Sequence, residues 1–302
     1  MSLARRVVLA ALAGSAVTGC GISRRSSAGP VARTEPRSPS ASAPPAVQPA
    51  EPPAPAPEPA ARAVPAAAPT RAELVARLAG ATPGSWDFEP PGAVSSLPAT
   101  EQAIALTFDA CGGPGGSGYD GALIDELRSR RVPATLFLNS RWIEANPGTF
   151  QELAADRLFE IGNHGTQHRP LSVAGWSAYG IRGTGDVGEA FDEVAGNQDG
   201  LTRLLGRPPA FFRAGTAYYD DVAAQVVTAL GARIAGFTVN GDAGATFTAD
   251  QVCRTFLGAG PGSIVLAHMN HPAGGTARGV AAALPELLGA GARFVRLSDV
   301  AW

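Results

Sequence analysis

The stretch AIALTFDACGG, from Ala103 to Gly113, carries the reading of the fold. Its apolar run, Ala103 to Phe108, stops at Asp109 and a glycine-rich turn. A short run without polar alternation fits a strand buried on both faces, as in parallel sheets. Outward along the chain the same pattern recurs at Pro133 to Leu138, Phe159-Glu160-Ile161, Ala210 to Arg213, Ala232 to Val239, Ser263 to Ala267 and Arg293 to Leu297. Between these runs, helical spacing covers Tyr119 to Arg131, Trp142 to Ala155 with a restart near Asn146-Pro147, and Asp186 to Leu205, closed by Gly206 and Pro208-Pro209. Three more helices are expected at Asp220 to Leu230, Ala249 to Leu257 and Gly279 to Leu288. Strand and helix in alternation predict an α/β fold, a parallel sheet covered by helices. The number of units favours a distorted (β/α)7-type barrel over an open sheet. Barrels display their chemistry at the C-terminal strand ends. Asp109, His164, Arg213, Asn240 with Asp242, and His268 all fall at or just after such ends.

The chain's four histidines lie in two clusters, His164 with His168 and His268 with His271. Imidazole is the commonest metal ligand and titrates near neutral pH, so clustered use points to chemistry. Gly165 and Pro170 favour a loop around the first cluster, and a turn can still aim both rings inward. We read His164 and His168 as ligands of a divalent ion, with zinc the best match. His271 is expected only to cap a loop.

The ends set a context. Residues 1–20 resemble a lipoprotein signal peptide: Arg5-Arg6, an apolar stretch too short to span a bilayer, then Val17-Thr18-Gly19-Cys20. Cys20 would carry the lipid, and the mature protein would be exported and anchored on the outer face of the cell membrane. Residues 21–70 hold half of the 26 prolines with Ala, Ser and Glu, a composition that cannot offset its ordering entropy. They are expected to be a disordered, semi-extended spacer. Residues 71–100 are expected to form a lead-in with a short helix over Arg71 to Ala79, and 101–302 the main folded domain. A net charge of −2 without a basic block argues against nucleic acid as a partner. Cys111 and Cys253 could form one disulfide, which spacing alone leaves open.

In order, the motifs LTFDAC (106–111), NHGTQH (163–168), FFRAGTAYY (211–219), VNGD (239–242) and IVLAH (264–268) resemble those of the polysaccharide deacetylases, the family of the NodB homology domain and carbohydrate esterase family 4. The resemblance runs from about Ala103 to Leu297. It implies a metal-dependent hydrolase that removes N-acetyl groups from an amino-sugar polysaccharide such as peptidoglycan or chitin. Asp109 would be the base that deprotonates the attacking water, Arg213 its ion-pair partner, and His268 the general acid, with Asp242 setting its tautomer and raising its pKa. Trp176, Tyr179 and Tyr218 are candidates for a sugar-stacking surface.

One position departs from the family. Where its first motif is usually TFDD, this chain has Ala110 followed by Cys111, and alanine cannot ligate a metal. Asp109 could itself bind the ion with Asp242 or a water chain as base, which is the reading favoured at this level. Cys111 thiolate could coordinate instead, excluding a Cys111–Cys253 bridge. Or water could fill the position. Two further readings stay open: a polysaccharide O-acetyl esterase, and a non-catalytic wall-binding relative that has lost the metal.

Overall fold

The computed structural model describes residues 68–302. The expected signal peptide, Cys20 and nearly all of the 21–70 spacer lie outside the described residues. Thr70 is the N-cap of the lead-in helix Arg71–Arg77: its hydroxyl accepts from the Glu73 amide, and the Glu73 carboxylate accepts from the Thr70 amide. This reciprocal pair satisfies two amides that a first turn otherwise leaves unpaired.

Eight strands form one parallel sheet in the spatial order Val239–Asn240, Ile264–His268, Ile104–Ala110, Ala134–Leu138, Phe159–Asn163, Phe211–Phe212, Arg233–Ala235, Ala93–Val94. A ninth, Phe294–Val295, pairs with the start of Ile104–Ala110. No ladder joins the first of these strands to the last among the described residues, so the barrel is distorted and open at one seam. The register aligns the chemistry: His268 lies opposite Asp109, and Asn163, next to His164, lies opposite Phe212, next to Arg213.

Strand alternation divides the opening segment between two environments. Ile104, Leu106, Phe108 and Ala110 pack with Leu123, Trp142, Phe256 and Leu284 in the core between sheet and helices. Ala103 and Ala105 face the other way, with Phe137, Phe211, Ile264 and Leu297. Thr107 and Asp109 continue this inner row, and its small members leave the barrel interior room for a polar site. Burying each large apolar side chain contributes ~1.5–3 kcal/mol. Truncation of the fully buried Leu106 to alanine is accordingly a ~2–5 kcal/mol loss.

Two local readings change. The run Ala232 to Val239 is not one strand but two, Arg233–Ala235 and Val239–Asn240, which pair with different neighbours. The break falls at Gly236, where a Cβ would lie 2.4 Å from Ser95 Oγ and where the carbonyl turns inward to accept from Arg213. A short hairpin, Ser177–Ala178 with Ile181–Arg182, was not anticipated; Tyr179 and Gly180, both at positive φ, form its turn. The expected restart at Pro147 is present, with Ser140–Ala145 and Pro147–Ala155 as separate helices. No helix among the described residues is long and apolar enough to cross a membrane.

Candidate active site

Asp109 ends the inner row of its strand and is 3% exposed. Arg213, fully buried, reaches it from the end of Phe211–Phe212: Nη1 donates to Asp109 Oδ1 at 2.8 Å and to Thr107 Oγ1 at 2.9 Å. Arg213 Nε and Nη2 donate to the carbonyls of Ala235 and Gly236, and the guanidinium stacks on Phe137 at 4.3 Å. Burial alone would raise the Asp109 carboxyl, but Arg213, followed by His164 and His268, outweighs it and holds the group below the usual carboxylate range. Asp109 is therefore held ionised and oriented.

His268 faces it from the neighbouring strand. Asp242 Oδ1 accepts from His268 Nδ1 at 2.9 Å, and Oδ2 accepts from the His268 amide at 2.7 Å and the Thr276 hydroxyl at 2.9 Å. The Nδ1 proton is thus fixed toward Asp242 and Nε2 faces the cavity. Burial opposes protonation of His268, yet the Asp242 charge prevails and lifts the imidazole well above its ordinary value. An imidazolium at neutral pH is what a general acid requires.

The third group is Cys111, His164 and His168, whose ligand atoms all lie within 4.8 Å of one another. Cys111 Sγ is 3.9 Å from His164 Nε2. His164 Nδ1 donates to the Arg213 carbonyl at 2.8 Å, so in the neutral ring the Nε2 lone pair faces the sulfur. A ring nitrogen tied to a backbone carbonyl while the other faces outward is the usual arrangement of a metal-bound histidine. Burial pushes the Cys111 thiol up, but the flanking imidazoles, His168 foremost, bring it well below the usual thiol range. One thiolate and two imidazoles suit zinc.

Of the readings left open for the third ligand, this arrangement favours Cys111 over Asp109. Asp109 is engaged by Arg213, its other oxygen lies 3.7 Å from His164 Nε2, and it is not in the three-residue group. Asp242, fully buried and committed to His268 and Thr276, is no free base. Alternation supplies the reason: position 110 points into the apolar core, and position 111 returns to the inner face. Cys111 and Cys253 are both free thiols.

The loop bearing His168 is clamped. Glu193, from the helix Val187–Leu205, is 4% exposed, and its carboxylate accepts from the amides of Gln167 and Arg169 on either side of His168. His168 itself adopts φ +62°, a left-handed conformation uncommon outside glycine. Gly215 makes this possible, since a Cβ there would lie 2.3 Å from the His168 carbonyl carbon. In the sequence Glu193 reads as one more residue of the helix Asp186 to Leu205; its signal is an acidic residue on the buried side of an amphipathic helix.

A cavity of about 730 Å³ opens over these groups and is lined by Asp109, Cys111, His168 and His268. His271 also lines it, with its Nε2 3.3 Å from the Asn270 amide nitrogen. Of the three aromatic candidates, Tyr179 lines the cavity and is 74% exposed. Tyr218 instead sits at the hub of a cluster, stacked on Trp86 at 5.3 Å and tilted against Phe88 at 4.1 Å, with Tyr179 at 5.9 Å. Trp176 packs edge-on to Trp86 at 5.7 Å. Phe88 and Phe237, both on the cavity wall, were missed.

Residues 96–235 match the family model described as polysaccharide deacetylase. Among solved structures, the peptidoglycan N-acetylglucosamine deacetylase Bc1960 is 26% identical over 69% of this chain and 92% of its own, with a TM-score of 0.56. PdaA of Bacillus subtilis, a family 4 carbohydrate esterase, is 19% identical over 75% of this chain and 86% of its own, TM-score 0.56. BA3943, a family 4 pseudoenzyme from Bacillus anthracis, is 19% identical over 70% and 69%, TM-score 0.57. Curated proteins provide no match to the sequence.

Proposed function

From a domain that belongs to the polysaccharide deacetylase family, a hydrolase of acetyl groups, we propose a metal-dependent enzyme that removes N-acetyl groups from an amino-sugar polysaccharide, peptidoglycan or a chitin-like chain. The observation that carries this reading is the convergence, in one cavity, of a paired base, a paired acid and a Cys-His-His ligand group. Cys111, His164 and His168 would hold a divalent ion, best matched by zinc, which supplies a Lewis acid for the acetyl carbonyl and the attacking water.

The protein's own groups do the rest. Asp109, kept ionised by Arg213, takes the proton from the attacking water. His268, kept protonated by Asp242, gives a proton to the departing amine. Each transfer is worth ~10²–10⁴-fold when the group is oriented at its working protonation state. The exposed Tyr179 ring offers a face to a pyranose at the cavity mouth. The signal and spacer pattern of residues 1–70 supports an enzyme held outside the cell by a lipid on Cys20.

The test is acetate release from peptidoglycan, chitooligosaccharides and an O-acetylated xylan by folded protein, with zinc, with other divalent ions and with chelator. Release from the amides, abolished by chelator and restored by metal, is the expected result. Release from the ester alone would move the activity to O-acetyl groups, and no release under any metal would end the reading. Ala110 favours one rival, a glycan-binding relative without catalysis. Purified protein with far less than one equivalent of metal and intact glycan binding would support that rival.

A further inference from the structure

The cavity wall carries a cation for which neither half of the chemistry above has a use. Arg141, half-buried near the start of the helix Ser140–Ala145, lines the same cavity as Asp109, Cys111 and His268. Its guanidinium makes only long contacts: Nε to Asn139 Oδ1 at 3.4 Å and Nη2 to the Cys111 carbonyl at 3.5 Å. No carboxylate pairs with it among the described residues. Asp109 is the one carboxylate on the cavity wall among the described residues, and Arg213 already neutralises it.

The glycine-rich turn is shaped around this side chain. Gly113 has φ +76°, and a Cβ there would sit 2.6 Å from Arg141 Nη1. At Gly112 a Cβ would sit 2.9 Å from Arg141 Cβ. Any larger residue at either position would displace the arginine. At Gly115, on the wall of the same cavity, a Cβ would meet nothing within 4 Å, so this turn leaves open space in the cavity that Arg141 lines. An unpaired guanidinium on the wall of a roomy cavity suits a carboxylate, because its fork matches a carboxylate in shape and charge.

We propose that Arg141 binds a carboxylate on the substrate, so that the enzyme selects N-acetylated glycans bearing an acidic group on the sugar over neutral ones. The proposal rests on the deacetylase reading and refines its substrate class. Two sources share this chemistry, a uronic acid and a lactyl ether. Three oligosaccharides of equal length separate them: alternating N-acetylglucosamine–glucuronic acid, peptide-stripped glycan strands with free lactyl carboxylates, and neutral chitooligosaccharide. With metal-loaded enzyme, kcat/KM for one acidic chain should exceed that for the neutral chain about tenfold, the worth of a charge-assisted hydrogen bond. Arg141→Gln should bring the ratio close to one, and Arg141→Lys should keep part of it; thermal melts of both variants check folding. A wild-type ratio near one for both acidic chains, or a ratio unchanged in Arg141→Gln, overturns the proposal. If no chain releases acetate, the deacetylase reading fails, and calorimetric Kd values for the same chains decide Arg141. Tighter binding of an acidic chain, lost in Arg141→Gln, upholds it; equal binding overturns it.

Discussion

Asp109 and His268, on adjacent strands of the barrel rim, are each locked to a buried partner, Arg213 or Asp242. The neighbouring trio of Cys111, His164 and His168 is built differently. Its outer atoms are secured, with His164 Nδ1 on a backbone carbonyl and the His168 loop on Glu193, while the sulfur and the facing nitrogens turn toward one another, with Asp109 Oδ2 3.7 Å from His164 Nε2 and His268 beside the sulfur. Buried polar atoms are nearly always satisfied. Half a site whose polar atoms are tied to fixed partners suits proton transfer; half a site whose ligand atoms converge on one another suits an ion.

If that division is right, substitutions on the two sides should separate catalysis from metal content. The largest effect is expected from Asp109→Asn, a ~10²–10⁴-fold fall in kcat/KM with metal content by emission spectrometry unchanged. Loss of metal in that variant would merge the two halves. Glu193→Gln should instead weaken metal affinity by ~10–100-fold in a chelator competition, with activity recovering at high metal, because the loop amides lose their charged acceptor. Activity unmoved at limiting metal would show that the clamp does not set His168.

The acid half has a pH signature. As the proposed acid His268 must hold its proton to act, and Asp242 raises its pKa, so activity is expected to persist below that raised value and to fall as pH climbs through it. Asp242→Asn removes the raising charge, and the basic limb of kcat/KM should move to lower pH. A limb that stays in place would assign it to another group. The smallest effect is expected at the rim. Phe88→Ala should raise KM ~2–10-fold with kcat nearly constant, if the aromatic wall contributes sugar contact.

Much of this was legible in the amino-acid order. Apolar runs ending in Asp109, Arg213 and His268 give strands and rim residues directly, because a parallel strand buried on both faces writes its length into hydropathy. The candidate third ligand, Cys111, was hidden in a single-residue step: which of positions 109, 110 and 111 looks inward depends on where the strand ends, and here it runs through Ala110. The Ala232 to Val239 run misled because hydropathy does not record that the Gly236 carbonyl serves Arg213. Trp86 and Phe88 meet Tyr218 across more than a hundred residues, a contact no local pattern carries. Arg141 was equally invisible, since its position depends on two glycines in another loop.

The cobalt-substituted protein examines the metal half at its weakest point. With cobalt(II) in place of zinc, a sulfur-to-metal charge-transfer band should appear in the near ultraviolet, disappear in Cys111→Ser and survive in Cys253→Ser. A bound cobalt ion without that band, or a band indifferent to Cys111, would contradict the thiolate ligand and return the third position to Asp109 or water.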